Sequence, residues 1–81
     1  MTNEARYRGI FRDIFGVPDS ALNETFTFKD VKAWDSMTHL TLINELETAF
    51  DVMFETEDVL HFGGFENGRR ILEKYGVDFS A

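Results

Sequence analysis

The segment that decides the fold runs from Trp34 to Asp51 and reads WDSMTHLTLINELETAFD. Its apolar residues recur every three or four positions, which is the spacing of one face of an α-helix. They are Leu40, Ile43, Leu46 and Phe50, with Leu42 and Ala49 broadening the face. Asp35 stands just before the pattern, where its carboxylate can accept hydrogen bonds from the unpaired amides of a first helical turn. The segment therefore predicts a helix from about Ser36 to Phe50, apolar enough to lie at the centre of the fold.

The chain before this segment predicts one helix and one long loop. Apolar residues at helical spacing predict a helix over 4–15, and Gly16 followed by Pro18 predicts its end. The loop that follows has no strong periodic signal, although the alternation in 25–28 also permits a short strand. We expect apolar side chains to pin this loop across the ends of the helices. They are Leu22, Phe26, Phe28, Val31 and Trp34.

The chain after the segment predicts a short helix and a last helix. Thr56 is expected to cap the short helix, which ends near Leu60. The glycine pair at 63–64 interrupts the pattern, and a last helix follows over 65–75. Gly68 weakens that helix, because glycine costs about 1 kcal/mol in a helix interior. Together the patterns predict one all-α domain over residues 1–81, with three main helices and one short helix around a shared core.

The length and the net charge of the chain argue against several classes of function. A chain of 81 residues and 9.4 kDa can hardly close a core and also enclose a water-free catalytic cleft, so an independent enzyme is not expected. Fifteen acidic residues oppose eight Lys and Arg, and the net charge of -7 has the wrong sign for binding nucleic acid or an anionic membrane. Residues 33–68 hold eight acids and no Lys or Arg. That stretch predicts partners with basic docking surfaces.

The residue composition also bears on the cellular compartment and on the reactive groups of the protein. The chain contains no cysteine, so any thiol chemistry must be supplied by another molecule. No apolar run is long enough for a signal peptide or a membrane span, so we expect a cytoplasmic protein, and its small acidic surface favours a monomer. The acids in 55–58 lack the spacing of a calcium loop, and no metal site is predicted. His39 is expected to be a hydrogen-bonded packing residue rather than a catalytic base, and no catalytic residue is predicted.

From Trp34 to Phe54 the chain resembles the acyl carrier protein family. Asp35-Ser36-Met37 stands where the family has Asp-Ser-Leu. Matching offsets follow at Leu42, Ile43, Leu46, Glu47, Phe50 and Asp51. The resemblance implies an acyl-carrier-like four-helix bundle of the stand-alone type with a long first loop. It also implies that Ser36 is the attachment point of 4'-phosphopantetheine, transferred from coenzyme A by a magnesium-dependent phosphopantetheinyl transferase, and that Asp35 helps to orient the site and its metal during transfer.

The resemblance also implies how such a carrier meets its partners. Cargo is held as a thioester and presented to an acyl-loading ligase or acyltransferase and to downstream biosynthetic enzymes, in fatty acid, polyketide or related biosynthesis. The family presents its second helix to these enzymes through acidic and apolar residues. The matching positions here are Met37, Leu40, Glu45, Glu47 and Asp51. Thr38, Thr41 and Thr48 occupy positions where fatty-acid carriers often have acids, so a specialised pathway is expected.

Related carriers sometimes shelter an acyl chain between their helices. The residues expected to line the interior here are Leu42, Ile43, Leu46, Phe50, Phe54 and Phe62. Their spacing predicts ordinary core packing, and the large aromatic side chains favour short or polar cargo held outside. Two other functions stay open. One is a peptidyl or aminoacyl carrier with the same prosthetic group, and the other is an acidic helical interaction module, such as a nucleic-acid mimic, that needs no chemistry at Ser36.

Overall fold

The structure is a computed structural model that describes residues 2–80. Those residues form four α-helices and a short 3-10 turn in the first loop. The helices are α1 (Asn3–Phe15), α2 (Ser36–Phe50), α3 (Thr56–His61) and α4 (Phe65–Lys74). No β-strand is formed within the described range. The expected all-α bundle of three main helices and one short helix is therefore confirmed.

The ends of α1 follow from local chemistry. The Thr2 hydroxyl accepts a hydrogen bond from the Ala5 amide (3.0 Å), which satisfies one of the unpaired donors of the first turn. At the other end Gly16 adopts φ 63° and donates its amide to the Arg12 carbonyl (2.8 Å). A residue without Cβ adopts this left-handed conformation without steric cost. The predicted end of α1 at Gly16 is therefore confirmed.

The expected cap of α3 is wrong. Thr56 is the first helical residue of α3, Glu55 stands in the capping position, and no side chain caps this helix. The Glu55 amide instead donates to the Tyr75 hydroxyl (2.9 Å), which lies at the end of α4. A six-residue helix is too short to form alone, so its limits are set by tertiary contacts of this kind.

The first loop is tied to the junction between α3 and α4. Phe26 accepts a hydrogen bond at its carbonyl from the Phe65 amide (2.9 Å), and Phe28 donates its amide to the Gly63 carbonyl (2.9 Å). The alternation that permitted a strand produces a single bridge between Thr27 and Gly64. Most of the expected anchors are at least partly buried, but Phe28 leaves 46% of its surface exposed. The loop is thus held by backbone hydrogen bonds as well as by apolar burial.

The core is largely aromatic. Phe11 of α1 is fully buried, and its ring lies 4.9 Å from that of Tyr7 and 5.1 Å from that of Phe65. The Tyr7 hydroxyl donates to the Phe65 carbonyl (2.6 Å), and burial raises the pKa of this tyrosine. Edge-to-face pairs of this kind add to the stability that burial alone provides. The buried members of the core are Tyr7, Phe11, Leu22, Phe26, Trp34, Leu42, Ile43, Leu46, Phe54, Phe62, Phe65, Leu72 and Val77.

Gly68 has a structural role that its low helix propensity does not indicate. A Cβ atom at this position of α4 would lie 2.5 Å from the Tyr7 hydroxyl and closer still to the fully buried Phe62 ring. Contacts this short do not occur in folded proteins, so both side chains can pack only against a residue without a side chain. Gly68 therefore allows α4 to approach the core closely.

Gly68→Ala is expected to lower the free energy of unfolding by about 1–3 kcal/mol, because the added methyl group must displace two buried rings. Chemical denaturation followed by circular dichroism measures the change. Gly9→Ala is the matched control, since the nearest atom to its Cβ would be the flexible end of Arg12 at 3.6 Å. That variant should instead gain about 0.5–1 kcal/mol from helix propensity. Equal effects at the two positions would contradict this account of Gly68.

Candidate functional site

Asp35 caps α2. Its backbone is extended (φ -105°, ψ -174°) and its Oδ1 accepts a hydrogen bond from the Thr38 amide (2.8 Å). Hydrogen bonds from Thr38, the backbone bond first, hold the pKa of this carboxyl below its usual range. Asp35 is thus ionised at neutral pH and lies at the positive end of the helix. The predicted capping role and the predicted start of α2 are both confirmed.

Ser36 follows as the first residue of α2, and its side chain is exposed. The first amides of a helix lack partners within the helix and form the positive end of its dipole. A hydroxyl carried at this place is accessible to another protein, and an anionic group attached to it would lie in a favourable field. The exposed hydroxyl is therefore sterically open to modification, and the helix dipole favours a negatively charged group there.

An apolar groove of about 400 Å³ lies beside Ser36. It is open to solvent, and three segments build its walls: the first loop, the start of α2, and α3 with the glycine that follows it. The lining residues are Phe28, Ser36, His39, Leu40, Val59, Leu60 and Gly63. The volume is at the lower end of the range for sites that hold one small organic molecule. A group attached to Ser36 therefore has an apolar surface within immediate reach.

His39 joins the three walls of this groove. Its Nδ1 accepts a hydrogen bond from Trp34 Nε1 (2.9 Å), so its Nε2 carries the proton and donates to the Val59 carbonyl (2.7 Å). The Val59 carbonyl is among the last four of α3, which have no partner inside the helix. Both ring nitrogens of His39 are thus engaged. The expectation that His39 is a hydrogen-bonded packing residue is confirmed by this geometry.

Exposed apolar side chains surround the groove. Met37 leaves 81% of its surface exposed and Leu60 leaves 74% exposed. Leu40, which the helical pattern placed on the apolar stripe of α2, is on the exposed side with Phe28. Neighbouring exposed apolar side chains of this size are typical of surfaces that contact another molecule. Of the predicted partner-binding residues, Leu40 lines the groove together with Ser36, and Met37 follows Ser36 in the chain with its side chain exposed.

The acidic members of that set lie elsewhere along α2. Asp51 follows the helix about 22 Å from Ser36, at 1.5 Å per residue, and caps its end in a left-handed conformation (φ 54°). Glu47 accepts a hydrogen bond from the Phe54 amide (2.9 Å) and so holds the connector to α3. Glu45 is exposed. Glu47 and Asp51 thus have structural roles that helical spacing did not predict. The role of Asp51 agrees with its residue type, because aspartate is one of the few residues that tolerate the left-handed region.

Asp58 fixes α3 as a wall of the groove. It is buried (8% exposed), and its Oδ1 lies 2.7 Å from Lys74 Nζ while the Tyr75 hydroxyl donates to its Oδ2. The bonds from Lys74 and then Tyr75 hold the pKa of Asp58 below its usual range. The role of Asp58 was not predicted from the sequence. A signal was present, because Asp58 lies at helical spacing between Phe54 and Phe62 and thus on an apolar face, where an acid needs a partner.

The described range, residues 2–80, contains neither a metal-binding cluster nor a membrane-spanning helix. No group of three His, Asp or Glu side chains is placed to hold a metal ion, and no helix is long and apolar enough to cross a membrane. No protein-family model matches the chain, and no curated protein matches it.

Asp58→Asn is expected to destabilise the protein at neutral pH, because the amide keeps the shape of the side chain but loses the charge that binds Lys74. The pKa of Asp58 is lower in the folded protein than in the unfolded chain, where it is about 3.9. The stabilisation is therefore complete above about pH 5 and is lost as the pH falls through the lowered folded-state pKa. Urea denaturation of both proteins at several pH values measures the difference.

The control for this measurement is Glu57→Gln, which changes an exposed acid of the same helix. It should leave the free energy of unfolding within about 0.5 kcal/mol of the wild type, as is usual for surface substitutions. If the difference between wild type and Asp58→Asn stayed constant down to about pH 2, the carboxylate would not be the source of the stabilisation.

Proposed function

We propose that this protein is a non-catalytic acyl carrier in which Ser36 bears 4'-phosphopantetheine. The observation that carries the proposal is the exposed hydroxyl of Ser36, on the first residue of α2 and on the wall of an apolar groove. The resemblance from Trp34 to Phe54 supports the same residue. An acidic interaction module would need neither feature.

The residues around Ser36 fit this group chemically. A phosphodiester on Ser36 would place its negative charge at the positive end of α2, which is worth about 0.3–1 kcal/mol at an exposed site. The groove beside it offers apolar side chains to the hydrocarbon part of the arm. When bound, the arm supplies the thiol that a chain without cysteine lacks, and cargo is carried on that thiol as a thioester.

Attachment requires one displacement at phosphorus. The Ser36 Oγ attacks the phosphorus that bears pantetheine in coenzyme A, forming one P–O bond. The anhydride P–O bond breaks, adenosine 3',5'-bisphosphate leaves, and the hydroxyl proton passes to a base of the transferase. Asp35 is ionised at neutral pH, which is the form in which a carboxylate binds a magnesium ion. Its proposed role is to help orient that ion while it also keeps α2 capped.

Partner enzymes would dock on the surface around Ser36. Met37 and Leu40 supply exposed apolar area there, and residues 33–68 contain no Lys or Arg to oppose a basic partner. Attraction between opposite charges speeds association and weakens as salt rises, so such contacts are fast and brief. A flexible arm raises the effective concentration of its cargo at whichever enzyme is docked. These properties suit a protein that must leave each partner.

Incubation with coenzyme A, magnesium and a broad-specificity phosphopantetheinyl transferase is expected to add the mass of one phosphopantetheinyl group. Intact-protein mass spectrometry measures the gain, and peptide mapping locates it. Ser36→Ala should gain nothing. Ser20→Ala is the matched control, because Ser20 is an exposed serine in the first loop and its loss leaves Ser36 in place.

An unmodified wild type, or a gain on another side chain, would contradict the proposal. An unmodified wild type would favour the acidic interaction module instead. If the protein is modified, its cargo is either an acyl or an aminoacyl group. Loading assays with acyl and aminoacyl ligases distinguish the two.

Asp35→Asn is expected to slow the transfer to Ser36 while leaving the melting temperature nearly unchanged, because asparagine caps helices about as well as aspartate but carries no charge. Asp35→Ala should lower both, since it removes the cap as well. The initial rate of mass gain and a thermal melt of each unmodified variant separate the two roles. If Asp35→Asn were modified at the wild-type rate, Asp35 would act only as a cap.

A further inference from the structure

Two aromatic rings, His39 and Phe62, lie between the groove and the core of the bundle. His39 lines the groove, and the Phe62 ring lies behind it with their centroids 6.2 Å apart. Phe62 is fully buried and also contacts Phe54, with centroids 5.9 Å apart. A group that moved inward from Ser36 would therefore meet His39 first and Phe62 next.

Neither ring is free to move aside. His39 is held by hydrogen bonds to Trp34 on one side and to Val59 on the other. Phe62 packs against α4 at Gly68, where even one methyl group would overlap its ring. Interiors packed at this density deform only at a cost in stability. The two rings therefore separate the open groove from the core.

We infer that cargo carried on Ser36 stays outside the bundle, because His39 and Phe62 close the interior, and that the protein therefore carries short or polar acyl groups. This inference rests on the proposed function. The groove can hold one small organic group, which is room for part of the arm or for a short acyl chain but not for the arm and a long chain together. A long alkyl chain would remain in water.

The experiment compares two cargoes on the protein itself. The transferase loads butyryl- or dodecanoyl-phosphopantetheine from the corresponding acyl coenzyme A, and the rate of thioester cleavage by hydroxylamine reports how exposed each carbonyl is. In the wild type the two rates should agree within about twofold, since a chain that is never sheltered gives no protection. A dodecanoyl thioester cleaved more than about fivefold slower than the butyryl one would show sheltering and overturn the inference.

His39→Ala removes the outer ring and both of its hydrogen bonds, and Phe62→Ala removes the inner ring. Because the two rings lie one behind the other, each single variant should still cleave the two thioesters within about twofold of each other. In the double variant we expect the dodecanoyl thioester to be cleaved at least about fivefold slower than the butyryl one, because the long chain can then spend most of its time inside. His61→Ala is the matched control, because His61 is the other histidine of the chain and its side chain is exposed. It should behave as the wild type does.

A milder double variant keeps the inference testable if this one fails to fold. His39→Ala with Phe62→Leu removes the outer ring and replaces the inner ring by a smaller side chain, so it too should protect the dodecanoyl thioester. If a folded double variant cleaves the two thioesters equally fast, these rings are not the barrier and the inference is overturned. Failure of the wild type to accept any arm overturns the proposed function itself, whereas a loaded wild type that shelters dodecanoyl overturns only this inference.

Discussion

The close approach of Phe62 to the backbone of α4 is the constraint on which the rest of the structure depends. Because Gly68 has no side chain, α4 lies close enough for this ring and the Tyr7 hydroxyl to fill the same region. The junction between α3 and α4 is thereby held near the first loop, where Phe26 and Phe28 form backbone hydrogen bonds to it. The groove beside Ser36 is therefore a product of core packing, and its inner wall is as rigid as the core.

Around the candidate site, the polar side chains near Ser36 already have hydrogen-bond partners of their own. Asp35 holds the first turn of α2, His39 joins the first loop to α3, and Asp58 joins α3 to α4. The Ser36 hydroxyl, in contrast, forms no hydrogen bond to any of the described residues. An exposed hydroxyl whose neighbouring residues are held in place by hydrogen bonds suits a modification by an external enzyme.

Periodicity and capping rules were sufficient for the three main helices and for the position of Ser36, because those signals lie within one turn of the residues concerned. They failed at the cap of α3, where tertiary contacts set the limits of a short helix. In the sequence Gly68 is recognisable only by its low helix propensity, since its benefit comes from tertiary packing against Phe62 and against Tyr7, 61 positions away. Asp58 bonds to a residue of another helix, and Glu47 bonds across the connector that follows α2. Local sequence patterns do not predict partners at such distances. Leu40 belongs to the apolar stripe of α2 but is exposed, because helical spacing alone does not determine which edge of a broad stripe faces solvent.

Trp34 gives the molecule a built-in optical reporter. It is the one tryptophan of the chain, it is almost fully buried, and its indole nitrogen donates to His39 at the floor of the groove. Indole fluorescence responds to hydrogen bonding and to contact with water. Emission from the unlabelled protein therefore reports directly on whether the first loop stays closed over the start of α2, in solution and in real time.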